Sequence, residues 1–229
     1  MAQSRAIILN YTEYAPYSME VNGQAQGLEI EVLQEALGRR MGLQLTHKIL
    51  PWERAQQLVR AGLADGFVAV PTAERASYSI AASEPVAWWD ILLYVRKQDA
   101  RFDTVRDISA LRPYKIGAVT GNSWVKSNLG GMDVLYLKHQ DLLLNLLHKQ
   151  RIDVIPENPG VMQQVIERLG LSGHITTVAL PGMRQPMLLH IHPDSPLRAR
   201  LAEFEETLRA MRKDGAMKKI LARYPGMPL

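Results

Sequence analysis

Short apolar runs alternate along the chain with stretches of helical periodicity. Ala6–Tyr11 is an apolar run that predicts a strand. A polar loop rich in Tyr, Pro, Asn and Gly follows, from Glu13 to Gly27. Leu28, Val32, Ala36 and Leu37 then recur at helical spacing. Glu29 and Glu31 stand near the start of that segment and Arg39 and Arg40 near its end, the order a helix dipole favours. Leu43–Ile49 alternates as a strand. Trp52–Ala61 reads as a helix opened by Pro51, and Phe67–Val70 and Ile91–Val95 as short buried strands. A second block alternates in the same way, with a strand at Lys115–Val119, a helix from Trp124, a strand at Asp133–Leu137, a helix at Asp141–Gln150, a strand at Ile152–Ile155, a helix at Val161–Leu169 and a strand at Ile175–Ala179. Met187–Ile191 reads as a strand, Pro196–Arg212 as an amphipathic helix and Met217–Tyr224 as a shorter one. Strands alternating with helices predict parallel sheets and an α/β fold.

Composition narrows the chemistry. A chain of 229 residues can bury a core without covalent staples. Zero cysteine removes disulfides, thiolate metal sites and a cysteine nucleophile. The 27 Lys+Arg and 23 Asp+Glu leave a net charge of +4, spread along the chain rather than gathered as on a nucleic-acid-binding face. No apolar run approaches the ~18–20 residues of a membrane span, so direct membrane insertion is not expected. Neither a glycine-rich phosphate loop, a His-Glu-x-x-His nor a Gly-x-Ser-x-Gly occurs. No catalytic residue, cofactor or metal is expected on this basis. His190 and His192 lie two apart on a predicted strand and so face one side, but no third ligand accompanies them. Asn10-Tyr11-Thr12 matches a glycosylation sequon of a length common by chance.

Three segments have the chemistry of a recognition site. Glu13-Tyr14-Ala15-Pro16-Tyr17 sets two aromatics around a proline, a rigid surface for stacking. Thr72-Ala73-Glu74-Arg75 lies just past a predicted strand, where ligands of open α/β sheets bind, and arginine matches a carboxylate bidentately. Gly121-Asn122-Ser123 joins a strand to a helix, where backbone N–H groups face anions and Asn or Ser caps the helix.

In this order the segments resemble the type 3 periplasmic solute-binding proteins, the polar-amino-acid receptors of ABC transporters, over nearly the whole chain. Tyr14-Ala15-Pro16-Tyr17 resembles the family's aromatic-x-Pro-aromatic loop. Gly27-Leu28-Glu29-Ile30-Glu31-Val32 resembles the start of its first helix. Pro51-Trp52-Glu53-Arg54 with Asp65, Thr72-Ala73-Glu74-Arg75 with Ser83-Glu84-Pro85, Lys115 to Ser123, Asp153-Val154-Ile155 and Lys213-Asp214-Gly215 follow in the family's order.

The resemblance implies a two-lobed periplasmic-binding-protein fold (type II). Each lobe is a mostly parallel sheet flanked by helices, and two hinge strands join them near Tyr94–Lys97 and Arg184–Leu188. Lobe 1 would hold residues 1–94 and 188–229, and lobe 2 the inserted residues 95–187. It implies a non-catalytic receptor that closes on a small polar carboxylate, an amino acid among the candidates, in the cleft between lobes. Such a receptor delivers its ligand to an ABC permease and is a periplasmic monomer. The start, Met1-Ala2-Gln3-Ser4-Arg5, lacks the regions of a signal peptide and fits either a cytosolic start or a mature end after cleavage; the resemblance favours export. Arg75 would hold the ligand carboxylate, helped by N–H groups at Asn122 and Ser123, with Tyr14 and Trp52 sandwiching the ligand body. Val70 stands where many amino-acid receptors have Ser or Thr for the α-ammonium, and Asn158, beside Glu157, where they have an acid. Backbone carbonyls near Ala69 are the remaining acceptors. Two other readings stay open. One is a cyclohexadienyl-dehydratase-like enzyme using a desolvated Glu157 or Glu13 as general acid. The other is an orphan periplasmic sensor or partner-binding protein.

Overall fold

The structure is a computed structural model, and it describes residues 5–224 apart from the Ser123 side chain. In chain order the strands and helices are β1 (Ile7–Tyr11), β2 (Met19–Val21), β3 (Gln24–Gln26), α1 (Leu28–Leu33), β4 (Leu45–Ile49), α2 (Trp52–Arg60), β5 (Gly66–Ala69), α3 (Ala73–Ala76), β6 (Ile80–Ala81), β7 (Ala87–Asp90), β8 (Leu92–Arg96), β9 (Ile116–Val119), α4 (Ser123–Asn128), β10 (Val134–Leu137), α5 (Gln140–His148), β11 (Ile155–Glu157), α6 (Pro159–Arg168), β12 (Ile175–Val178), β13 (Arg184–Ile191), α7 (Leu201–Lys213) and α8 (Ala216–Leu221). The chain divides into two compact units, Met1–Trp89 with Gln185–Leu229, and Asp90–Arg184. These borders fall earlier than 94/95 and 187/188: the whole of β8 is hydrogen-bonded inside the second unit, while β13 pairs with β5 and β6 of the first. The two ends of that unit meet: the Ile91 N–H donates to the Met183 carbonyl at 3.1 Å.

The first unit carries a sheet in the order β4-β1-β5-β13-β6, with β7 on β13. Its β1–β4 and β1–β5 pairs are parallel, and β13 runs antiparallel to β5 and β6. Phe204, Leu208 and Met211 recur along one face of α7 and are buried with Leu9, Leu33 and Leu37. Helix α1 runs on into a wide-turned π-helix, Gln34–Arg40, whose end is marked by the Met41 N–H reaching back five residues to Ala36. The second unit pairs β10 with β9 in parallel and β8 between β11 and β12 antiparallel. Leu143, Leu144 and Leu147 of α5 pack there with Ile152, Ile155 and Met162. The first unit's sheet is therefore mixed, and the second unit has a parallel pair beside a separate antiparallel three-stranded sheet rather than one mainly parallel sheet. Strands β11 and β12 join β8, and β13 joins β5, only after long excursions of the chain, which helix-strand alternation does not reveal.

The stretch from Glu13 to Gly27, expected as loop, contains the β2–β3 hairpin. Gly27 closes it onto α1 with φ 126°, a conformation open to glycine alone, and a Cβ there would stand 2.4 Å from the Tyr17 carbonyl oxygen. Gly27→Ala is expected to lose about 3 kcal/mol of stability in urea unfolding, and a loss below about 1 kcal/mol would contradict this role for the glycine. Asn10 of the sequon is fully buried, with its side-chain amide donating to the Ala55 carbonyl, so it is closed to a glycan in the folded chain.

Candidate functional site

In the first unit, β5 is buried along its length and leads through Val70 to α3. Thr72 caps α3 by accepting the Arg75 N–H at 3.2 Å, which fixes where the arginine leaves the backbone. Trp52 is the first residue of α2 after Pro51, and its ring meets Phe67 of β5 edge-on at 5.4 Å. The Arg75 guanidinium lies 5.3 Å from the Trp52 ring centre, a cation–π contact. Its Nη1 donates to the Val70 carbonyl at 2.5 Å and its Nε to Gln56 Oε1 at 3.4 Å. The neighbouring carboxylate, Glu74, pairs with Arg60 instead, and among the described residues no carboxylate stands within ion-pair distance of Arg75. Burial lowers the arginine's pKa, but a guanidinium stays charged at neutral pH. This is a half-buried cation with donors that the protein meets only with a carbonyl and an amide.

Beneath this group His190 stacks on Phe67, with ring centres 5.2 Å apart, and its Nδ1 lies 3.1 Å from Ser79 Oγ. Burial, and then the nearby Arg75 charge, push His190 down to about 4, so it is neutral at pH 7. His192 lies past the end of β13 and accepts the Asp194 N–H at Nδ1, so the two histidines serve different local contacts. No cluster of three metal-ligating side chains occurs among the described residues.

Trp52, Ala69, Val70 and Arg75 thus come together at the end of β5. Tyr14 belongs to another aromatic group: it stacks on Tyr17 at 5.4 Å and its hydroxyl accepts from Trp89 Nε1 at 2.9 Å. Trp88 joins through its carbonyl, which accepts the Tyr17 hydroxyl at 2.9 Å. Sequence reasoning assigns no role to Gln56 or the Trp88-Trp89 pair; the adjacent tryptophans after Pro85 are a signal that could have found that pair.

In the second unit Asn122 caps α4, its Oδ1 accepting the Val125 N–H at 3.0 Å. Its own N–H donates to the Val119 carbonyl, so that amide is spent inside the turn rather than offered to a ligand. Ser123 is the first residue of α4, and its side chain lies outside the described residues. Glu157 ends β11 at 6% exposure. Burial raises its carboxyl above the ordinary range, opposed by hydrogen bonds from the Asn158 N–H and the Asn122 side chain. Asn158 is fully buried and caps α6: its Oδ1 accepts the Gly160 N–H at 2.9 Å and its Nδ2 donates to the Asp90 carbonyl at 3.0 Å. Pro159 takes the first helical position, where no N–H is missed.

The model of the bacterial extracellular solute-binding proteins, family 3, matches residues 7–227. No curated protein matches the chain in sequence. Among solved structures, the unliganded open L-cystine solute receptor of Neisseria gonorrhoeae is similar with a TM-score of 0.73 and 19% identity, over 97% of this chain and 93% of that one. A histidine kinase sensor domain with similarity to periplasmic binding proteins gives 0.69 and 19%, over 97% of each chain. The ancestral amino-acid-binding protein AncCDT-1, a precursor of cyclohexadienyl dehydratase, gives 0.65 and 19%, over 96% of this chain and 94% of that one. At these identities the likeness speaks for the fold.

Proposed function

The chain belongs to family 3 of the bacterial extracellular solute-binding proteins, and on that premise we propose a non-catalytic periplasmic receptor for a small polar carboxylate that serves an ABC permease. The observation that carries this reading is Arg75. A half-buried guanidinium, laid over Trp52 and without a carboxylate among the described residues, is a ready partner for an incoming carboxylate. The ligand would displace the Val70 and Gln56 contacts and take both terminal nitrogens. Ala69 and Val70 would form the apolar floor beside it.

A thermal-shift series over amino acids and other small carboxylates tests the reading. A ligand present at ~100 times its Kd stabilises the fold by about 2.7 kcal/mol, a readily visible rise in Tm. Arg75→Ala is expected to weaken that ligand about hundredfold while leaving the unliganded Tm within a degree or so. Retained affinity in the variant would remove Arg75 from the site.

Glu157 favours a second reading, a dehydratase-like enzyme, because a buried carboxyl shifted upward is suited to act as a general acid. Glu13, the other carboxylate considered for this role, is exposed and lacks that desolvation. Turnover of prephenate or arogenate by the purified chain, lost in Glu157→Gln, would replace the receptor by the enzyme.

A further inference from the structure

Two histidines of the second unit face each other at the surface. His148 is the last residue of α5, and His174 immediately precedes β12. Their ring centres lie 4.9 Å apart with the planes inclined at 68°. Both residues are exposed, and neither ring makes a hydrogen bond among the described residues. Each ring leaves a fixed backbone. Leu143, Leu144 and Leu147 hold α5 in the core of the unit. The His174 N–H donates to the Leu171 carbonyl at 2.9 Å, and its carbonyl accepts the Lys97 N–H at 2.8 Å.

Edge-to-face contact accounts for two rings meeting, but the spacing also suits a shared ion. Neutral imidazole is the commonest metal ligand among side chains and is well matched to Cu, Ni and Zn. An ion ~2.1 Å from one nitrogen of each ring stands roughly 3 Å from each ring centre, so neighbouring ligand positions set the centres about 4.5–5.2 Å apart. The observed separation falls in that range. His148 also sits at the carbonyl end of α5, where the helix dipole favours a cation.

The surrounding charges bear on affinity. Arg96 and Arg101 line the same pocket, but they pair with Asp99 and Asp153, so that group is neutral as a whole. Lys97 adds a positive charge to the wall with no ion pair among the described residues. One extra cation and only two protein nitrogens set a modest affinity, with water in the remaining coordination positions.

We propose that His148 and His174 form a two-imidazole site for a divalent late transition-metal ion. The site lies wholly within the second unit and stands on no part of the Arg75 reading.

Calorimetric titration of the full chain with the chlorides of Cu²⁺, Ni²⁺ and Zn²⁺ tests this. Binding is expected to be tightest for Cu²⁺ and absent for Mg²⁺. His148→Ala and His174→Ala are each expected to weaken Cu²⁺ at least about tenfold, and the double variant to match the single ones within a few-fold, because the two nitrogens act as one chelate. The electron paramagnetic resonance spectrum of the Cu²⁺-loaded chain should show coupling to two imidazole nitrogens, falling to one in each single variant. Both positions are exposed, so the variants are expected to keep the parent Tm. His139→Ala, at the opposite end of α5, should leave binding unchanged. Failure of all three ions to bind, unchanged affinity in either single variant, or an equal loss in His139→Ala overturns the proposal.

Discussion

Asp65→Ala is expected to destabilise the fold by about 3 kcal/mol, the largest loss of any single carboxylate in the first unit. Asp65 is 1% exposed and sits just before β5. Its two oxygens receive the Ile8 N–H at 2.8 Å, the Ser195 hydroxyl at 2.7 Å and both terminal nitrogens of Arg5 at 2.7 and 2.9 Å. Its backbone adds two more ties, donating to the Ile8 carbonyl and accepting from His192. Arg5 is half-exposed and can return to water, so the ion pair itself contributes little. The cost comes from the Ile8 N–H and the Ser195 hydroxyl, which the truncation leaves dry and unpaired. Urea unfolding with an unchanged slope and a midpoint lowered to match would bear this out, and a loss under about 1 kcal/mol would contradict it.

A second buried carboxyl makes the opposite prediction. Glu29 is 3% exposed on α1, and one of its oxygens has no hydrogen-bond partner. Burial raises its pKa from the ordinary 4.5 to about 8, so the folded chain holds it protonated at neutral pH. Between pH 4.5 and about 8 the unfolded chain has released this proton and the native one has not. Each pH unit in that window therefore costs about 1.4 kcal/mol of stability, and above it the slope vanishes. Glu29→Gln keeps the shape of the neutral acid and carries no such penalty. It is expected to match the parent near pH 5 and to exceed it by roughly 4 kcal/mol near pH 8, measured as unfolding free energies at both values. His190, lowered to about 4, acts in the reverse sense, its stability contribution growing as pH rises towards 6.5. It is common to both chains and cancels in the difference. Parallel pH profiles for parent and variant would show that Glu29 is charged in the fold.

These two residues also show what a sequence can convey. Helical and strand periodicity locates most of the elements that bury apolar side chains, because burial imprints its period directly on the residue order. The order of the recognition segments leads to the family. It does not say which carboxylates are dry. Glu29 and Glu31 look alike in sequence as first-turn acids, yet one is buried and the other pairs with Arg223 and Tyr224 near the far end of the chain. Asn158 reads in sequence as a substitute for a ligand-binding acid and is a helix cap, a distinction set by two backbone contacts. Asn122 is similar: its type suits an anion site, and its N–H closes a turn. Polar roles at a site depend on which other groups need the same atom, and that competition is settled by folding.

The single hydrogen bond between Ile91 and Met183 has a further use. The Asp90–Arg184 unit leaves and re-enters the rest of the chain at one point, so its ends are adjacent without the other unit's help. A short Gly-Ser bridge from Trp89 to Gln185 would close the first unit over the gap, and Asp90–Arg184 could be expressed as its own cassette. The chain is, in genetic terms, a host sequence carrying one continuous insert.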